Sequence, residues 1–195
     1  MKPAEDLSDA SLARAARQGD HAAFGHLMRR HKGWLYQFIR RYVADKDDAY
    51  DVLQESFVST WGALARFDPE RSFEAWLRRI ALNKCRDRAR RNAVKRAALT
   101  VLGWTGLQNE SNTPTPDRTA AVDQALKRLE TAIASLPRAL KEPLVLTMLE
   151  GLSHKEAGEL LGINSKAVET RVYRAKRQLA LVLERSDLAD LTDSR

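Results

Sequence analysis

The sequence predicts an all-α protein of two small helical domains joined by a flexible linker. Apolar residues recur at steps of three and four along most of the 195 residues, and no stretch alternates apolar and polar side chains as a half-buried strand does. A central segment rich in Ser, Asn, Thr and Pro interrupts the helical period. The expected limits are 8–92 for the first domain, 93–118 for the linker and 119–185 for the second.

From Asp20 to Val43, the residues Phe24, Leu27, Met28, Leu35, Phe38, Ile39 and Tyr42 mark one face of a long amphipathic helix. A second helix is expected after a cap within Asp45 to Asp48, with Ala49, Val52, Leu53, Ser56, Phe57, Thr60, Trp61 and Leu64 in one stripe. The segment ARFDPER then reads as a loop, because Pro69 drives Asp68 out of helical geometry. Ser72 caps a third helix, whose buried face is Phe73, Trp76, Leu77 and Ile80 and which runs into the basic tract KCRDRARRN as far as Arg91.

Periodicity is lost from about Asn92 to Arg118, although VLGWTGL within that stretch is apolar enough to dock on a surface. It returns through Val122, Ala125, Leu129, Ile133 and Leu136. A further helix covers about Lys141 to Glu150. Proline is tolerated only in a first helical turn, so Pro143 places that start near Leu140 rather than at Pro137.

The net charge is +7 and the sequence pI about 9.7. Residues 64–100 carry eleven basic and four acidic groups, an excess equal to that of the whole chain. The basic patch is therefore built locally and suits a polyanionic partner. The lone cysteine, Cys85, excludes an internal disulfide and fits a reducing cytosol. The start MKPAEDLSDA lacks the apolar core of a signal peptide, so a soluble, cytoplasmic protein is expected. The histidines His21, His26, His31 and His154 have no metal-ligand spacing, and no carboxylate cluster sits beside the arginines. No catalytic residue, metal or cofactor is expected, and the chain is not read as an enzyme.

The most specific local signal is GLSHKEAGELLGINSKAVETRVYRAKRQL, beginning at Gly151, which reads as a helix-turn-helix. Ser153 and Glu156 form the S-x-x-E box of a short helix with Ala157, Leu160 and Leu161 inward, and Gly162 ends it. Asn164 caps a second helix that buries Val168, Val172, Ala175 and Leu179. Lys166, Glu169, Thr170, Arg171, Arg174 and Arg177 are left toward solvent, at the end such a helix puts into the major groove. Arginine bonds guanine bidentately whereas lysine mostly senses phosphate, so Arg171 and Arg174 suit base reading better than Lys166.

Two further constellations stand in the first domain. Arg79, Asn83, Arg86 and Arg90 follow at steps of four, three and four, opposite the apolar face of their helix. Phe67, Phe73 and Trp76 lie beside them, but the last two sit on the apolar stripe, so the nucleic-acid role falls to the polar row and the preceding loop. Asp48, Asp51 and Glu55, with Gln54 beside them, form an acidic surface that nucleic acid would not reward and a basic protein partner would. A self-contained helix-turn-helix repressor would explain residues 151–180 alone, and would need a dimer to reach two half-sites.

The run AFGHLMRRHKGWLYQFIRRYVADKDDAYDVLQESFVSTWGALARFDPERSFEAWLRRIALNKCRDRARR resembles region 2 of the extracytoplasmic function (ECF) sigma factors. The run LPRALKEPLVLTMLEGLSHKEAGELLGINSKAVETRVYRAKRQL resembles their region 4. The resemblance implies an alternative sigma factor that directs core RNA polymerase to promoters and is held inactive by an anti-sigma factor. The polymerase contacts would be the β′ clamp helices and the β subunit, with Asp48, Asp51, Gln54 and Glu55 on the β′ side. It implies −10 contacts from Arg79, Asn83, Arg86, Arg90 and the 65–72 loop, where flipped bases are captured. The −35 contacts would come from Lys166, Thr170, Arg171, Arg174 and Arg177. Glu169 departs from the family pattern, since a basic residue is common at that place, and Pro143 is also atypical.

Overall fold

The computed structural model describes residues 7–43, 45–101 and 120–193. The chain divides into two compact units, Met1–Leu107 and Gln108–Arg195. Among the described residues every regular element is helical, which matches the expected all-α class. No helix among them is long and apolar enough to cross a membrane.

The first unit is built from α1 (Asp9–Arg17), α2 (His21–Arg40), α3 (Lys46–Ala63) and α4 (Phe73–Val101). Its core is the meeting of the stripes read from the sequence. Leu27, Leu35, Phe38 and Ile39 of α2 are buried with Ala49, Val52, Leu53 and Phe57 of α3 and Phe73, Leu77, Ala81 and Leu82 of α4. Met28 lies at the margin of that face and is partly exposed. The two hydroxyls on the buried face of α3 are satisfied one turn back, Ser56 Oγ donating to the Val52 carbonyl at 2.6 Å and Thr60 Oγ1 to the Ser56 carbonyl at 2.7 Å.

Helix α1 was not expected. Nine residues show too little of a stripe, yet Ser8 caps it, accepting from the Ser11 amide, and it buries Leu12, Ala13 and Ala16. Asp9 ties it to α2 by accepting from Arg30 at 2.6 Å and meeting His31 Nε2 at 2.8 Å. His31 is itself buried, and its Nδ1 accepts from Trp34 Nε1 at 2.8 Å.

Helix α4 extends to Val101, beyond the expected end near Arg91, so residues 93–101 of the expected linker are helical. Ala, Lys and Arg dominate AVKRAALTV, and these are strong helix formers. The rest of the expected linker, and VLGWTGL beyond Val101, lie outside the described residues.

The second unit comprises α5 (Ala120–Ser135), α6 (Arg138–Leu144), a π-helical turn (Val145–Leu149), α7 (His154–Leu161) and α8 (Ser165–Asp193). The start of α6 corrects the sequence reading. The helix begins at Arg138, two residues before the expected start near Leu140, with Pro137 as its cap and Pro143 inside it. The fixed φ of Pro137 suits an entry, and its carbonyl accepts from the Leu140 and Lys141 amides at 2.8 and 2.9 Å. Pro143 cannot donate to the turn before it, and the chain answers by widening the turn after it. The Glu150 amide bonds the Val145 carbonyl at 3.0 Å, a five-residue step, and Thr147 Oγ1 bonds the Pro143 carbonyl at 2.8 Å.

The turn between α7 and α8 forms as the sequence requires. Ser153 and Glu156 make both halves of the capping box, and Gly162 takes φ 72°. The Ala167 amide donates to Asn164 Oδ1 at 2.7 Å. A second glycine proves as necessary as the first. A Cβ on Gly158 would lie 2.6 Å from the Ile163 carbonyl oxygen, because the chain doubles back directly over it. Gly158→Ala should therefore destabilise the second unit by about 1–3 kcal/mol. Denaturant unfolding of the full chain, with hydrogen exchange assigning the loss to α7 and α8, checks this; unchanged protection there would refute it.

Candidate nucleic-acid and protein interfaces

The long helix α4 divides its arginines between two directions. Its packing face is apolar at Phe73, Leu77, Ala81 and Cys85, then turns polar and continues against α3 through ion pairs. Arg88 donates to Asp48 and, at 2.9 Å, to Asp51. Arg91 reaches both oxygens of Glu55 at 3.2 Å, and Asn92 Nδ2 donates to Asp48 at 3.0 Å. The bond to Asp48 is the main cause that holds the Arg88 guanidinium above its ordinary pKa, against a smaller opposing effect of burial.

The acidic residues singled out in the sequence are thus brought together, but not left alone. Asp48 is the hub of this lattice, with its side chain 27% exposed, whereas Asp51 is 59% exposed and Glu55 35%. Gln54 faces solvent. Tyr50 and Val58, four residues to either side of Gln54, are exposed on the same helix and give the acidic surface apolar flanks that charge reading overlooked.

Arg79, Asn83 and Arg90 are exposed and Arg86 half-buried, all on the side of α4 away from Arg88. Arg86 donates to Asn83 Oδ1 at 3.1 Å and Arg90 to Asp87 at 2.5 Å, so the row is held in place along one face. Arg78, next to Arg79 in sequence, belongs instead to the core. It lies 5.0 Å from the Trp34 ring centroid and bonds Glu74 at 2.7 Å. Around the helix it falls between Ala81 and Leu82, both buried, and that position was the available signal.

The loop leading into α4 is pinned from beneath. Phe67 and Phe73 are buried and meet edge to face at 5.4 Å, while Trp76 is half-buried beside them. From α1, Arg14 bonds Glu70 at 2.9 Å and Arg17 bonds the Phe67 carbonyl at 3.4 Å. The unexpected first helix therefore sets the position of this loop.

On α8, Val168, Val172, Ala175 and Leu179 are buried as expected. Lys166, Thr170, Arg174 and Arg177 are exposed, whereas Arg171 is half-buried beside the packed face. Tyr173, which the reading of charges passed over, is 63% exposed and stands in the row Lys166, Thr170, Tyr173, Arg177 at steps of four, three and four. Glu169 accepts from Lys166 at 2.9 Å, and that bond holds its carboxyl below the usual carboxylate range. Among the described residues no group of His, Cys, Asp and Glu is placed to hold a metal.

Comparison with known proteins matches both units. The family model for Sigma-70 region 2 covers residues 27–94, and that for Sigma-70, region 4 covers residues 126–179. The RNA polymerase sigma factor NccH of Alcaligenes xylosoxydans xylosoxydans is 37% identical over 92% of this chain and 97% of its own. The ECF RNA polymerase sigma factor SigM of Mycobacterium tuberculosis is 32% identical over 91% of this chain and 86% of its own. The solved structure of CnrH in complex with the cytosolic domain of CnrY superposes with a TM-score of 0.65 at 35% identity, covering 90% of this chain and 97% of CnrH.

The ion lattice generates a prediction that needs no ligand. Arg88→Ala should cost the first unit about 1–2 kcal/mol, since its charged hydrogen bonds are shared between two carboxylates and partly shielded. Arg90→Ala, in the exposed row, should stay within about 0.5 kcal/mol. Urea unfolding of each variant measures both, and equal midpoints would remove the lattice from the list of stabilising contacts.

Proposed function

The chain belongs to the extracytoplasmic function sigma factors, which direct bacterial RNA polymerase to chosen promoters, and we propose a division of that task among its surfaces. Residues 8–92 act as region 2 and residues 119–185 as region 4, joined through 93–118, the first part of which, 93–101, continues α4. The observation that carries this division is the sorting of α4's arginines, one set turned onto α3 and another left in an exposed row.

On this reading Asp51, Gln54 and Glu55 meet the basic surface of the polymerase β′ clamp helices, while Asp48, tied to Arg88 and Asn92, supports that face from behind. Charge complementarity favours such an encounter and sets its orientation. Arg79, Asn83, Arg86 and Arg90, with the 65–72 loop, contact the opened −10 strand. The separate second unit meets the −35 element as duplex, where a helix fits the major groove. Lys166, Thr170, Arg174 and Arg177 face it there with Tyr173, and Arg171 reaches it from the flank.

The related CnrH is held by a protein partner in its solved complex, and an anti-sigma factor is proposed to restrain this chain in the same manner. The protein acts in the cytoplasm, where its polymerase and promoters are. Sigma factors are regulators of transcription, and the chain is proposed to carry no catalytic activity of its own.

Transcription by core polymerase from genomic fragments, with and without the purified protein, tests the function. New 5′ ends that share two upstream motifs are expected; an active core with unchanged starts would leave a self-contained repressor as the better description. Asp51→Arg should weaken binding to core polymerase without unfolding the chain, and unchanged affinity in a direct titration would remove Asp51 from that surface. Arg174→Ala should weaken promoter binding by about 1–3 kcal/mol. Holoenzyme binding should also fall with salt, by about 0.9 in log affinity per phosphate neutralised for each unit of log salt. A flat response would exclude both basic faces as phosphate contacts.

A further inference from the structure

One acidic side chain stands on the exposed face of α8 among five cations between Lys166 and Arg177. Glu169 lies in the second turn of that helix, next to Thr170 and one turn from Lys166 and Tyr173, so it belongs to the end that enters a groove. It accepts a hydrogen bond from Lys166 at 2.9 Å and feels a weaker attraction from His154 of α7, and the Lys166 and Glu169 side chains are both more than half exposed.

Helix stability is a poor reason for this pair. The lysine precedes the glutamate, which is the less favourable order along a helix, and an exposed pair of this kind contributes about 0.2–0.5 kcal/mol at most. Phosphate binding is a worse reason, because a carboxylate repels the backbone that the neighbouring cations attract. What a carboxylate offers in the major groove is an acceptor without a donor. Cytosine presents the matching feature, an amine at N4 with no acceptor on its own major-groove edge, whereas the amine of adenine shares its base with the acceptor N7.

We infer that Glu169 is a specificity-determining residue, accepting a hydrogen bond from the N4 amine of a cytosine in the −35 element. Lys166 holds the carboxylate in place and offsets its repulsion from the adjoining phosphates. The inference rests on the assignment of α8 to the −35 duplex. It adds one donor-bearing base to a face whose other members suit guanine, phosphate and the thymine methyl group.

The test is selection of promoters from a library randomised across the −35 element, by holoenzyme formed with the full-length wild type, Glu169→Gln or Glu169→Ala. Wild type should enrich cytosine at one position about tenfold over other bases. Glutamine pairs bidentately with adenine, so Glu169→Gln should shift that same position to adenine, and Glu169→Ala should lose the preference while the other positions keep theirs. If all three proteins enrich the same bases throughout, or differ only by a uniform change in affinity, Glu169 reads no base and the inference fails. If wild type enriches no upstream motif at all, the assignment of α8 fails first and takes the inference with it.

Discussion

The carboxylates of Asp48 and Asp51 on α3 and the guanidinium of Arg88 on α4 hold two helices together beyond the point where their apolar contact ends. Isolated exposed ion pairs stabilise little. This group differs because one guanidinium serves two carboxylates, Asn92 takes a remaining acceptor of Asp48, and the side chain of Arg88 is only 17% exposed. With α4 fixed in rotation by its apolar face as far as Cys85 and by that lattice beyond it, the direction of its other face follows. Arg79, Asn83, Arg86 and Arg90 must then point away from α3, whatever their individual preferences.

The same constraint separates surfaces of opposite charge that stand on one small unit. A basic row and an acidic face that close would collapse on each other if both were free to turn. Arg88 and Arg91 satisfy part of the acidic face from within, and leave Asp51 and Gln54 at its outer edge. The loop before α4 is held independently by α1, through Arg14 and Arg17, over a floor of Phe67 and Phe73.

Much of this was legible before the structure. The apolar periods located α2, α3 and α4 because each buries one continuous face, and the α7–α8 turn announced itself through Ser153, Glu156, Gly162 and Asn164, whose roles are local. What the sequence hid was of two kinds. Helix α1 is too short for a period to declare itself and is fixed by a distant contact, Asp9 with Arg30 and His31. The fate of each arginine was also hidden, since Arg78, Arg79 and Arg88 differ only in the angle at which they leave one helix. That angle acquires meaning once neighbouring helices are placed. The start of α6 at Arg138 differs from the expected one for a related reason. The rule against interior proline weighed Pro143 alone, whereas the chain accommodates it by altering the turn that follows.

That altered turn carries a further consequence. A five-residue step places one more residue in the turn than an α-helix would, which shifts the residues that close that turn by about 100° around the axis. Val145 and Leu146 remain buried, while Met148 and Leu149 are carried to the outside, and the Leu152 amide returns to the Leu146 carbonyl at 3.0 Å to open the way into the capping box. The surface just before the helix-turn-helix therefore carries two apolar side chains, Met148 and Leu149, that an unbroken α-helix would have set at other angles.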